Sequence, residues 1–216
     1  MNIAIIRNSI VQKALIALSG LFLLAFLLFH LGGNFLLLGT PGQYNQLAQA
    51  LEHWGWIFHG LELALLVALI MHIWLTIHIR RQQKQLAPKN LHLRQQHSWA
   101  GDWVVNSTSR LMVVTGPMIL VFLILHLQQF RFHPGERNLE QLVYQLLQKP
   151  GWLAVYELAL LPVGWHLAHG FGSSFQSLGL GHHKITPFLP RWSQILSVII
   201  ILGYALIPLV IYLQSP

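Results

Sequence analysis

The chain has no cysteine in 216 residues. That absence excludes disulfides, iron–sulfur ligation, thiolate zinc sites and covalent c-type haem attachment. Charge is the next scarcity. Only 9% of residues are charged, against ~25% in an average soluble domain. With 54% hydrophobic residues and a mean hydropathy of +0.54, this places the chain among integral membrane proteins. Acidic residues number six. Histidine is the exception to this poverty: there are 13, and they are the one compositional sign of chemistry.

Five apolar runs are legible: Ala14–Leu38, Ile57–Ile79, Leu111–Phe130, Trp152–Phe175 and Ile195–Leu213. Each is close to the ~20 residues with which a helix crosses ~30 Å of hydrocarbon. The expected architecture is an all-α, single-domain bundle of five transmembrane helices over residues 1–216. The first run is too long for a cleavable signal peptide and carries His30 near its far end.

The net charge of +7 reads as topology, not as nucleic-acid binding, because the basic residues sit in short loops between apolar runs. Arg7 and Lys13 precede run one, Arg80, Arg81, Lys84, Lys89 and Arg94 follow run two, and Lys184 and Arg191 separate runs four and five. The other side has Arg131, Arg137 and Lys149, with Glu136 and Glu140 beside them. The positive-inside rule then sets the N-terminus inside and the C-terminus outside. RRQQKQLAPKN is a polar inner loop. On the outer side, Asn138–Lys149 puts Leu139, Leu142, Val143, Leu146 and Leu147 on one helical face, and Gln43–Trp56 does so more weakly with Leu47, Leu51 and Trp54. Both are expected to be amphipathic helices lying on the membrane surface.

Runs one to four contain His30, His72, His126 and His166 respectively. An ionisable side chain inside the bilayer is costly and normally faces the bundle interior. A lone one is most simply a hydrogen-bonded core residue; four on consecutive helices need another reason. Their depths supply one. His30 and His126 lie about 16 residues into outward-running helices, and His72 and His166 about 14 residues into inward-running ones. The four sort into an outer pair, 30/126, and an inner pair, 72/166, ~15 Å apart along the normal. Two axial imidazoles on facing helices are what a six-coordinate haem b needs, and two stacked haems make an electron wire.

Ser19-Gly20 precedes His30, and Thr115-Gly116 precedes His126, with the glycine ten residues before the histidine in both. That offset puts Gly20 and Gly116 at the depth of the inner pair, where a missing side chain lets a porphyrin approach the backbone. In VGWHLAHGFGSSFQSLG, His166 has the matching depth; His169 is its rival, three residues on. Gly170 and Ser173 share the His166 face. His78 lies near the inner interface, and His53, His59, His92, His97, His133, His182 and His183 fall in loops or at span ends.

These segments, SG-x9-HLGGN around His30, Glu62…His72, TG-x9-HL around His126 and HLAHG-x2-SSFQSLG around His166, carry a resemblance. Over nearly its whole length the chain resembles the single-chain, five-helix, di-haem cytochrome b anchor of succinate:quinone oxidoreductases, that is, succinate dehydrogenases and related fumarate reductases. The resemblance implies two haem b groups and a place in the cell inner (cytoplasmic) membrane. It also implies a flavoprotein partner that oxidises succinate, an iron–sulfur partner that feeds the inner haem, and a quinone substrate, usually menaquinone. One position departs from it. Some di-haem fumarate reductases carry a glutamate two residues before the fourth ligand, linked to transmembrane proton transfer. Gly164 stands there, so that route is not implied.

Two further assignments follow. Arg110 and Ser173 are expected to hold propionates of the inner haem, since buried carboxylates need charge or hydrogen bonds. Glu62 and Tyr156, each ten residues before a histidine of the inner pair, fall level with the outer haem. They are the candidates for a quinone site, Glu62 to handle protons and Tyr156 to donate a hydrogen bond; a quinone site on the inner side is the alternative. Glu157 has the same depth but turns to the opposite face. Two other readings stay open: the di-haem b anchor of another respiratory oxidoreductase, such as nitrate reductase, and a divalent-metal transporter, which would normally add carboxylates level with the imidazoles.

Overall fold

The computed structural model describes residues 9–86, 100–132, 138–181 and 186–214, with the side chains of 83, 84, 86 and 100–110 outside that description. His92, His97, His133, His182, His183, Arg7, Lys89, Arg94, Glu136, Arg137 and Lys184 therefore lie outside the described residues. Helices run α1 (Ser9–Phe35), α2 (Gln43–His53), α3 (Trp56–Leu86), α4 (Ala100–Phe130), α5 (Leu139–Leu147), α6 (Pro150–Ser177) and α7 (Leu189–Leu213), with 3-10 turns at Leu36–Leu38 and Thr186–Phe188 and no strand among the described residues.

Among the described residues, four segments are long and apolar enough to cross a membrane: Ser9–Leu38, Trp56–Gln82, Leu111–Phe130 and Thr186–Leu213. The run expected at Trp152–Phe175 is also one continuous helix. At 28 residues α6 is ~42 Å long, enough to span. It falls short of the apolarity of the other four because it carries Glu157, His166, His169, Gln176 and several glycines and serines. Helices α1, α3 and α4 extend past the expected runs on the side of the basic loops. Backbone hydrogen bonding continues along a helix regardless of where side-chain polarity changes, so hydropathy places the membrane boundary and not the helix end.

Packing explains why α6 tolerates so many small and polar residues. It is the central element, in contact with α1, α4 and α7, while α3 packs on α1. The α6–α7 contact is a small-residue seam. A Cβ at Gly172 would stand 2.8 Å from Ser193 Oγ and 3.4 Å from the Leu189 carbonyl oxygen. Ser197 donates to the Gly164 carbonyl at 2.6 Å, and a Cβ at Gly164 would meet Ile201 at 3.1 Å. Gly164 is thus a close-approach point for α7. Outward-facing positions such as Val121, Leu158, Ile199 and Leu202 are exposed apolar residues, as a lipid-facing surface requires.

The two amphipathic helices form where expected. They are joined to each other and close one end of the bundle. Asn138 caps α5 by accepting from Gln141 N at 2.9 Å and also accepts from Asn45 Nδ2 at 2.8 Å. Asn45 Oδ1 in turn accepts from Glu140 N at 3.1 Å, and both Glu140 oxygens accept from Gly42 N, the N-cap of α2, at 3.0 Å. A carboxylate at a helix N-terminus is favourably placed. Tyr144 donates to the Leu37 carbonyl at 2.7 Å; burial, and then the nearby Glu140, raise its pKa and keep it a donor. The apolar face of α5 enters a core of Leu31, Leu37, Val143, Leu147, Ile207 and Ile211.

Candidate functional site

Helices α1, α3, α4 and α6 form a four-helix arrangement in which α1 touches α3 and α6, and α6 touches α4. The diagonals are α1–α4 and α3–α6, and each diagonal is bridged by two imidazoles. His30 and His126 meet with ring centroids 5.7 Å apart and planes at 87°. His72 and His166 meet at 6.3 Å and 58°. The pairs expected from depth are the pairs that come together. His169 makes no ring contact of this kind with His72; it lies within electrostatic reach of Arg80.

The spacing has chemical content. A metal held between two imidazole nitrogens at ~2.0–2.1 Å each places the ring centroids ~6.4 Å apart, and 6.3 Å and 5.7 Å sit at or just inside that value. No group of three or more His, Cys, Asp or Glu that could hold a metal ion occurs among the described residues. Each level thus presents a pair of imidazoles, the protein donor set that would suit an ion whose remaining positions are filled by a macrocycle. A Cβ on Gly116 would meet nothing within 4 Å, so the α4 surface is open at this position. Gly20 is different. A Cβ there would stand 3.2 Å from His72 Cε1, so this glycine makes room for an imidazole, where space for a porphyrin edge was expected.

Hydrogen bonds stand behind three of the four imidazoles, and at His72 they identify the free nitrogen. His72 Nδ1 lies 3.2 Å from the Ile16 carbonyl oxygen and 3.2 Å from Ser19 Oγ. A carbonyl only accepts, so Nδ1 carries the proton and Nε2 keeps its lone pair. His166 Nδ1 lies 3.4 Å from Thr115 Oγ1. His126 Nδ1 lies 3.4 Å from the Tyr156 hydroxyl, whose own proton goes to Gln129 Oε1 at 2.6 Å. His30 stacks on Phe26 at 5.5 Å and 18° and tilts against Tyr204 at 6.3 Å.

The remaining expected residues are placed as follows. Tyr156 is in the site, but as a neighbour of His126 whose proton is already given to Gln129. Glu62 lies at the rim, its side chain 33% exposed, accepting from Arg131 Nε at 2.8 Å and Nη2 at 3.1 Å and 3.1 Å from His59 Nδ1. That ion pair bridges α3 to the end of α4, two helices that do not pack closely on each other. Ser173 is half-buried on α6, and the Arg110 side chain lies outside the description. Glu157 Oε1 is buried with no hydrogen-bond partner, off the histidine diagonals. His78 is a satisfied interface residue, stacked on Trp74 at 5.4 Å and 2.9 Å from Gln82 Nε2.

Sequence reasoning passed over Ser19, Thr115, Gln129 and Arg131. The first two are the hydroxyl residue of the repeated Ser/Thr-Gly-x9-His-Leu pattern, which is the signal that could have found them. No protein-family model, curated protein or solved structure matches the chain.

Proposed function

We propose that the chain is the membrane anchor and electron-transfer subunit of a succinate dehydrogenase or fumarate reductase complex, carrying electrons between an iron–sulfur partner and membrane quinone through two bis-histidine b haems. The observation that carries this reading is the pair of imidazole bridges on the two diagonals of one bundle. In this reading α6 is a fifth span, the N-terminus is inside, the C-terminus is outside, and the membrane is the inner (cytoplasmic) one. His30 and His126 hold the outer haem; His72 and His166 hold the inner.

Bound haem would supply a one-electron carrier at each level. The chain's own contribution is spacing and insulation. Ser19, which touches His72, and His30 stand eleven residues apart on α1, ~16 Å of helix, so the two levels are close enough for direct transfer between rings. The α2–α5 cap and its apolar core cover the outer pair from the aqueous side. Arg110 and Ser173 are the proposed propionate partners. Arg80, close to His169 on the inner side, joins them.

Quinone, menaquinone in the resembling family, is proposed to bind on the outer side where α3 and α4 stand apart, with Glu62 handling protons. The Glu62–Arg131 ion pair spans that gap, and His59, exposed beside it, connects it to the outer water. A flavoprotein subunit holds the succinate site in this reading, and the basic inner face receives the iron–sulfur subunit.

Purification of the complex from membranes tests the whole proposal. Two b haems per chain and succinate-dependent quinone reduction are expected. A b-type spectrum without succinate activity would move the chain to the anchor of another respiratory oxidoreductase. No haem at all would overturn the reading and leave the divalent-metal transporter to be tested by uptake.

A further inference from the structure

Three of the four proposed ligands have a hydroxyl behind them, and each hydroxyl comes from a helix whose own histidine belongs to the other level. Ser19, on the helix of outer His30, touches inner His72. Thr115, on the helix of outer His126, touches inner His166. Tyr156, on the helix of inner His166, touches outer His126. We propose that Ser19, Thr115 and Tyr156 are positioning residues: each hydroxyl oxygen accepts the Nδ1–H of a neighbouring helix's histidine, sets that ring's rotation and tautomer, and so aims Nε2 across the bundle diagonal. This rests on the bis-histidine reading above.

The hydrogen-bond directions are constrained at two of the three. Ser19 Oγ gives its proton to the backbone, with Leu15 O at 2.8 Å and Ile16 O at 3.0 Å, so toward His72 it only accepts. Tyr156 gives its proton to Gln129 Oε1, so toward His126 it also only accepts. Ser19 and Thr115 are buried at 3% and 4% exposure. Gly20 completes the seat for His72, since any Cβ would push into the ring at 3.2 Å. Hydroxyl and glycine thus act together: the Ser/Thr-Gly pair is a seat for the imidazole of the adjacent helix. The design also has a gradation. His72 keeps the Ile16 carbonyl as a second acceptor, whereas Thr115 is the hydrogen-bond partner seen at His166 Nδ1.

An acceptor on Nδ1–H raises the basicity of the opposite nitrogen and favours the oxidised metal. Removing it is therefore expected to raise the midpoint potential of the haem at that level and to alter its low-temperature electron paramagnetic resonance signal, which reads the relative rotation of the two imidazoles. Thr115→Val, which keeps shape and removes the hydroxyl, is expected to shift the inner haem alone by roughly two- to tenfold in its oxidised-to-reduced ratio, tenfold being ~59 mV for one electron. Ser19→Ala is expected to shift the same haem by less, and Tyr156→Phe the outer haem alone. Thr115→Ser and Ser19→Thr keep the hydroxyl and are expected to restore the parent values. The measurement is a redox titration with paired resonance spectra on the complex purified with its partner subunits.

Loss of the inner haem in Thr115→Val with retention in Thr115→Ser supports the same assignment. Parent complex holding two haems, with unshifted potentials and spectra in Thr115→Val and Tyr156→Phe, overturns it while leaving the electron-transfer reading intact. A Thr115→Ser variant indistinguishable from Thr115→Val also overturns it. Parent protein without haem overturns both.

Discussion

His30 of α1 and His126 of α4 face each other edge to face across the bundle, 5.7 Å between ring centroids and 87° between planes, although their helices are not packing neighbours. Both rings reach inward from opposite corners, and the His72–His166 pair does the same on the other diagonal. Each pair can then be removed separately. His30→Ala or His126→Ala is expected to cost one b haem of two, His72→Ala or His166→Ala the other, and His169→Ala neither. Haem stoichiometry and the α-band of the reduced complex measure this; loss of the inner haem in His169→Ala with retention in His166→Ala would reverse the assignment.

The two glycines that precede the outer histidines are expected to differ when substituted. At Gly20 a methyl group strikes His72, so Gly20→Ala should disturb the inner haem by displacing its ligand. At Gly116 a methyl meets no protein atom within 4 Å. Gly116→Ala should therefore leave the haem-free protein at least as stable as the parent, since alanine is the better helix former, and lower its haem content. Equal haem content in Gly116→Ala and parent would show that no ring approaches α4 there.

Glu62 holds a two-point ion pair with Arg131. Glu62→Gln keeps a hydrogen-bonding group and removes the charge. It is expected to slow quinone reduction while both haem spectra, and succinate oxidation with an artificial acceptor, stay at parent levels. Quinone turnover unchanged in this variant would remove Glu62 from proton handling and leave it as a link between α3 and α4.

Asn138 both caps α5 and accepts from Asn45 of α2. Asn138→Ala is expected to cost about 1–2 kcal/mol and to lower the melting temperature of the purified chain. Haem content at low temperature should be retained, since Asn138 touches none of the histidines. A melting curve superimposable on the parent's would mean that the cap adds nothing to stability.

Much of the site was legible because helix geometry converts residue spacing into depth. A rise of ~1.5 Å per residue was sufficient to place His30 with His126 and His72 with His166. Azimuth was less legible. Gly20 was read as facing a ring's edge and proved to face an imidazole, because ~100° per residue leaves the identity of the neighbouring helix open. The cap shows the same limit: Leu139, Leu142, Val143, Leu146 and Leu147 mark an apolar face but do not say what covers it.

Sequence by itself determined the all-helical, apolar class of the molecule, the pairing of His30 with His126 and of His72 with His166, and the positions of its short amphipathic helices. These depend on composition and on periodicity within single segments, which local backbone geometry enforces. Only the tertiary structure decided that the histidine pairs lie on bundle diagonals, that α6 is the central helix, that Glu62 pairs with Arg131, and that Ser19, Thr115 and Tyr156 stand behind neighbouring helices' histidines. Those are contacts between segments far apart in the chain. They follow from how small residues such as Gly164, Gly172 and Ser193 let helices approach, and close approach depends on which surfaces meet, a property no single segment contains.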